Sequence, residues 1–232
     1  MAVIDPTHDL DAATRFAALA EELLAEHDEV KVLSQICDRA QEFVPGVDFC
    51  GITLRGPRRR LETACATGPK AEQCDALQRE LGEGPCMQAA HDVRQIYVVT
   101  DLAHDERWPT WGPRAVALGV RSLISVELAS ETISEHHAPL GALNMYSAEP
   151  GWSSPRVAEM ARIYGVHCAN AVAQARQING LQTAVESRHQ IGVAQGILMQ
   201  RYSTTTNTKL RDVAAQVVEQ GGLPDQVAPA AD

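Results

Sequence analysis

No run of apolar residues in this chain approaches the roughly 20 that a membrane-spanning helix requires. Met1 to Asp11 carries acidic residues where a secretory leader would be basic and then apolar. These two absences give the expectation of a soluble, cytoplasmic protein. Excess positive charge is missing too. The formal net charge is −10, and affinity for nucleic acid rests largely on Lys and Arg neutralising phosphates, so any polyanion must be bound locally. The six cysteines, Cys37, Cys50, Cys65, Cys74, Cys86 and Cys168, include no CxxC pair, which leaves neither zinc-type spacing nor a disulfide framework. Reduced, mostly buried thiols are expected, with no metal and no cofactor.

What is present begins with two amphipathic helices. Ala13, Phe16, Ala17, Ala20, Leu23 and Leu24 form the first apolar stripe; Leu33, Ile36, Cys37, Ala40, Phe43 and Val44 form the second, which "PG" at Pro45-Gly46 ends. The period then changes to two. "DFCGITLR" and "LETACAT" flank a turn at Gly56-Pro57 and read as a hairpin, with the basic triplet Arg58, Arg59, Arg60 solvated at its tip. Pro69 to Leu81 reads as a helix, Met87 to His91 as a second short helical piece, and Arg114 to Gly119 as a third. "RQIYVVTDL", "VRSLISVELAS" and "LGALNMYS" read as strands, the last two joined through the polar loop "ETISEHHAP". Strands in hairpins between helices argue for an antiparallel sheet packed by helices, an α+β fold.

From Ser153 the chain turns helical to about Tyr202, with Ser153 or Ser154 as cap and Pro155 at the first helical position. Ile163, Val166, Ala169, Asn170, Val172 and Ala173 suggest a buried face, and Ile178, Leu181 and Val185 recur at coiled-coil-like spacing. Gly165 and Asn179-Gly180 are the weak points, the latter a possible break. Gly192 and Gly196 lie four apart on one helix face, where each costs about 1 kcal/mol relative to Ala. They imply close approach of another helix backbone, with close approach of nucleic acid as the alternative, and Ile191 and Leu198 lie beside them. Leu210, Val213, Ala214, Val217 and Val218 make a complete stripe behind the potential cap Asn207.

Two sets of motifs resemble known families. "LGEGPCMQAA", "VVTDLAHDERWPTW", "GVRSLISVEL" and "PLGALNMYS" resemble, in order, the GAF domains of GAF-ANTAR regulators. "ESRHQIGVAQGILMQRY…NTKLRDVAAQVV" resembles the ANTAR domain, an RNA-binding transcription antitermination module. The resemblance implies a six-stranded antiparallel sheet between helices, a long connector helix and a short all-α ANTAR-like tail that binds an RNA stem-loop, commonly as a homodimer. It implies a small-molecule ligand for the GAF domain and no catalytic chemistry. The expected division is an N-terminal arm at 1–14, a GAF sensor domain at 15–177, an ANTAR-like domain at 178–223 and a disordered tail at 224–232.

One departure from the family pattern falls near 202–207. Tyr202 passes through Ser203, Thr204, Thr205 and Thr206 to Asn207 with no room for the family's middle helix, about 10 to 14 residues. A small helical core that loses one wall docks its remaining helices poorly. The alternative function is therefore a GAF-type ligand-binding or dimerisation protein whose ANTAR output no longer binds RNA. Candidate RNA contacts are Arg188, His189, Gln195, Arg201, Lys209 and Arg211, against a plain solvated face as the competing reading. Candidate GAF pocket residues are Cys86, Trp108, Trp111, His136 and His137. The tryptophans read first as core residues, and the adjacent histidines read as an exposed pair. Cys86 follows "GEGP" at a helix start, where the dipole could lower its pKa.

Overall fold

The computed structural model describes residues 6–56, 60–90, 96–130 and 140–198. The chain divides into two compact units, Met1–Asn179 and Gly180–Asp232. In the first unit, helices α1 (Pro6–Ala25) and α2 (Glu29–Phe43) precede strands β1 (Phe49–Arg55) and β2 (Leu61–Ala66). Helices α3 (Pro69–Leu81) and α4 (Pro85–Ala89) follow, then β3 (Ile96–Val99), α5 (Trp111–Ala117), β4 (Ser122–Leu128) and β5 (Gly141–Ser147). Helix α6 runs Pro155–Leu198. The described part of the second unit is the last stretch of this helix. Among the described residues no helix is long and apolar enough to cross a membrane.

The five strands form one antiparallel sheet in the order β2-β1-β5-β4-β3, one strand fewer among the described residues than the family resemblance implies. Every residue of β4 and β5 is buried, because helices cover both faces. Alternation divides the side chains between two environments. Cys50, Ile52, Leu54, Ile124, Val126, Leu128, Leu143 and Met145 join α1, α2 and α6 in the largest apolar cluster. The opposite face turns toward α3, α4 and α5 and carries Thr53, Ser125, Asn144 and Tyr146, all buried.

Helix α2 buries the whole stripe expected of it, and Asp28 caps it by accepting from Val30 N and Lys31 N. In α1 the stripe is narrower than expected: Phe16, Leu19 and Leu23 are buried, while Ala17 and Leu24 are exposed. An α1 that meets its unit along a single i, i+3, i+7 line has no use for the flanking positions. The helix begins at Pro6 and so includes much of the segment read as an arm. The short helices also start earlier than their periodicity suggests, at Pro85 and Trp111.

Helix α6 starts at Pro155, with Ala158 N donating to Ser154 O at 2.8 Å. The Ser153 hydroxyl donates instead to Val99 O at 2.8 Å. Val166 and Asn170 are exposed; the buried face is Ala161, Tyr164, Gly165, Cys168, Ala169, Ala171, Val172, Ala173 and Ala175. Gly165 is no weak point. A Cβ there would lie 2.6 Å from Val126 Cγ1, so glycine is what lets the helix press onto β4. The helix also continues through Asn179-Gly180 without the break its sequence suggests, since an exposed glycine only weakens a helix that its neighbours sustain.

Candidate ligand-binding site

The polar face of the sheet is organised around Asp75 of α3. Period-two alternation aims Thr53, Ser125, Asn144 and Tyr146 from three adjacent strands at the same layer. Helix α3, capped at Gly82 in the left-handed region, turns Asp75 and Gln78 down onto it. Asp75 Oδ1 accepts from the Tyr146 hydroxyl at 2.5 Å and from Asn144 Nδ2 at 3.1 Å. Asp75 Oδ2 accepts from the Thr53 hydroxyl at 3.3 Å. The Ser125 hydroxyl donates to Asn144 Oδ1 at 2.7 Å. Gln78 Nε2 donates to the Tyr146 oxygen at 3.1 Å, and its Oε1 accepts from Cys86 N at 2.8 Å, which ties α3 to the start of α4.

The fit is close. A Cβ on Gly51 would lie 2.6 Å from Asp75 Oδ2, and one on Gly84 2.3 Å from Gln78 Oε1. Gly84 also has φ of +139°, which disfavours any side chain. These two glycines are the reason that both helices reach the polar face.

Burial dominates the electrostatics. Desolvation pushes the Asp75 carboxyl up to about 6, against hydrogen bonds from Tyr146, Thr53 and Asn144 and the charge of Arg79. Arg79 itself donates to the Thr63 hydroxyl. The Tyr146 hydroxyl is held well above its ordinary value by desolvation and by Asp75. A fully buried carboxyl that changes charge near neutral pH, ringed by hydroxyl and amide groups, can recognise a polar molecule by hydrogen bonding.

Cys86 joins this network through its backbone, with its Sγ 3.8 Å from Thr53 Oγ1. Burial raises its thiol pKa, so the expected lowering by a helix dipole is overturned: α4 has five residues, and desolvation outweighs it. Trp108 and Trp111 lie in an adjoining apolar cluster with Cys74, Leu123 and Tyr146, ring centroids 6.1 Å apart and edge-on. Trp111 Nε1 donates to Cys74 O at 3.3 Å. Trp108 Nε1 is buried and has no acceptor among the described residues. Glu83 joins two motifs far apart in sequence: its carboxylate accepts from Thr110 N and Trp111 N at 2.7 and 2.8 Å, fixing "GEGP" to the start of α5. His136, His137, Arg58 and Arg59 lie outside the described residues.

On α6, Arg188 and His189 are exposed. Gly192 is exposed as well and meets nothing within 4 Å, so no close backbone approach occurs there among the described residues. Ile191 is 54% exposed. Gln195, Gly196 and Leu198 lie in the helix, their side chains outside the description. Arg201, Lys209, Leu210, Arg211, Val213, the junction at 202–207 and the tail fall outside the described residues.

Sequence reasoning missed Asp75, Gln78, Thr53, Ser125, Asn144 and Tyr146. The available signal was parity: in "GITLR", "SLISVEL" and "GALNMYS" the polar residues Thr53, Ser125 and Asn144 fall on one side of each strand. Only the register 51↔144 and 125↔144 shows that those sides coincide.

An antiparallel sheet with its terminal helices on one face, and short helices closing a buried polar layer on the other, defines a sensor-type α+β domain. The GAF domain family model matches residues 26–173, and the chain belongs to that family. No curated protein sequence matches the chain. Among solved structures it is similar to the GAF domain of a phosphoenolpyruvate-protein phosphotransferase from Coxiella burnetii, at 15% identity and TM-score 0.55 over 74% of this chain and 98% of that one. It is also similar to a free methionine-R-sulfoxide reductase from Neisseria meningitidis solved with its substrate, at 20% identity and TM-score 0.52 over 70% and 88%. A bacteriophytochrome from R. palustris aligns with 91% of this chain at 10% identity and TM-score 0.58, the chain spanning 46% of its length. At these identities the likeness is one of fold.

Proposed function

We propose that the protein is a cytoplasmic, non-catalytic, signal-responsive regulator. Its GAF domain binds a small polar molecule at the Asp75-centred layer, and its C-terminal ANTAR-like segment binds an RNA stem-loop to control transcription termination. The buried hydrogen-bonding layer supports the sensor half: a core face built from Thr53, Ser125, Asn144, Tyr146 and Asp75 forgoes apolar packing that an ordinary sheet would use. These groups satisfy one another, so a ligand must replace their hydrogen bonds and thereby favour a different placement of α3 and α4. Burial of Cys86, with its thiol pKa raised, supports a binding role over a thiol-based reaction.

The motif resemblance of residues 186–218 supports the output half, with Arg188 and His189 presented on the exposed face of α6. Half-buried Ile178 and exposed Leu181 and Val185 give a seam suited to a homodimer. A mobility-shift titration of the full chain with a paired-hairpin RNA at several salt concentrations tests the output. Affinity above that for tRNA, falling with salt, is the expected result. A folded dimer without that preference favours the second reading, carried by the shortened junction near 202–207, of a sensor whose output no longer binds RNA.

A further inference from the structure

Three cysteines far apart in sequence come together on the face opposite Asp75. Cys37 lies on α2, Cys50 on β1 and Cys65 on β2. The Cys37 thiol interacts with both of the others, and Cys50 Sγ reaches Cys37 O at 3.5 Å. Their exposures differ. Cys37 and Cys50 are buried, whereas Cys65 is half-buried on the outermost strand of the sheet. A partly open cavity of about 250 Å³ is lined in part by Cys37, Asp38, Asp48, Cys50 and Thr67. The β1–β2 register slips beside Cys65: Ile52 pairs with Cys65 and Thr53 with Thr63, leaving Ala64 as a bulge. A bulged outer strand is the part of a sheet that shifts at least cost.

We propose that Cys37 and Cys65 are an oxidisable pair, converted by hydrogen peroxide into a disulfide that ties α2 to β2. Cys65 is the attacking thiol. It is the accessible one, and the hydrogen bond from Cys37 holds it below its ordinary pKa, while Cys37, through its contact with Cys50, stays protonated. The Cys65 thiolate attacks one peroxide oxygen and the O–O bond breaks, giving Cys65 sulfenic acid and hydroxide, which takes up the proton that Cys65 released. Cys37 sulfur then attacks the sulfenic sulfur; the S–O bond breaks, and the Cys37 proton leaves with the hydroxyl as water. One peroxide is reduced to two waters and two thiols are oxidised to one disulfide. Closing the Cys37–Cys65 thiol contact to the S–S length of about 2.05 Å draws β2 toward α2. Cys50 lies on an inner strand between β2 and β5 and is not the partner. This pair is separate from the polar layer and does not depend on the ligand or RNA readings.

The test is a peptide map. The reduced full-length protein is treated with stoichiometric hydrogen peroxide, blocked with N-ethylmaleimide, and mapped without reduction. The expected result is a loss of two hydrogens in the intact mass and a Cys37–Cys65 linked peptide, which the Cys50→Ser variant retains. Cys65→Ser should slow thiol loss about tenfold or more. A Cys37–Cys50 link, a link between two chains through Cys65, over-oxidation of Cys65 without a link, or unchanged thiols would each overturn the proposal. The wild-type map decides the matter even if a variant fails to fold.

Discussion

Replacing Asp75 by Asn isolates what burial of its carboxyl costs. Asn keeps the shape: its Oδ1 can accept from Tyr146 and Asn144, and its Nδ2 can donate to Thr53 Oγ1, at the 2.5, 3.1 and 3.3 Å separations that the carboxyl now has. What it removes is charge. Asp75 rises from 3.8 to about 6 on folding, so the folded state holds its proton more tightly than the unfolded chain. That stabilisation is complete below about pH 4 and is lost as pH rises through about 6. At about 1.4 kcal/mol per pH unit, the ionised carboxyl costs the folded state about 3 kcal/mol at pH 7.5. Urea unfolding followed by tryptophan fluorescence suits the question, since Trp108 and Trp111 are buried beside the network. Asp75→Asn should exceed the wild type by about 1 to 3 kcal/mol at pH 7.5 and lose that advantage by pH 4.5. A variant less stable by the same amount at both pH values would refute the reasoning and show that the hydrogen bonds to the charge outweigh its desolvation.

Tyr146→Phe deletes a hydroxyl that both donates to Asp75 and accepts from Gln78; it should cost about 1 to 3 kcal/mol at pH 7.5 and move the Asp75 transition upward, read from the same pH series. The glycines of α6 should respond oppositely. Gly165→Ala places a methyl 2.6 Å from Val126 Cγ1 and should destabilise by about 1 to 3 kcal/mol, with partial rescue by Val126→Ala. Gly180→Ala meets nothing within 4 Å and should stabilise by up to about 1 kcal/mol in thermal unfolding. The proposed homodimer predicts that Leu181→Glu with Val185→Glu lowers the molecular mass by light scattering from dimer to monomer, because charges would line the exposed seam.

The local order of elements was legible because each carries its own period: α2 buries every residue its stripe marks, and α3 spans Pro69–Leu81 as its composition implies. The errors arose where tertiary contact decides. Val166 has the spacing of a buried residue but faces away from the sheet, while Gly165 beside it, a helix-weakening residue by propensity, is the one in contact with β4. The polar layer was hidden for the same reason. Thr53, Asp75, Ser125 and Asn144 are unremarkable singly, and only antiparallel register with α3 packed above makes them one network. Likewise Cys37, Cys50 and Cys65 have no motif spacing. Cross-strand pairing and α2 bring them together.

The central claim is that the layer around Asp75 is where a signal molecule is recognised, and a ligand screen by thermal unfolding on paired proteins tests it most directly. A panel of small polar metabolites is applied to the wild type and to Asn144→Leu, which leaves Asp75 and Ser125 without their shared amide. A ligand at 100 times its Kd should stabilise the wild type by about 2.7 kcal/mol and Asn144→Leu far less. Ligands that stabilise both proteins equally would place recognition elsewhere and contradict the account.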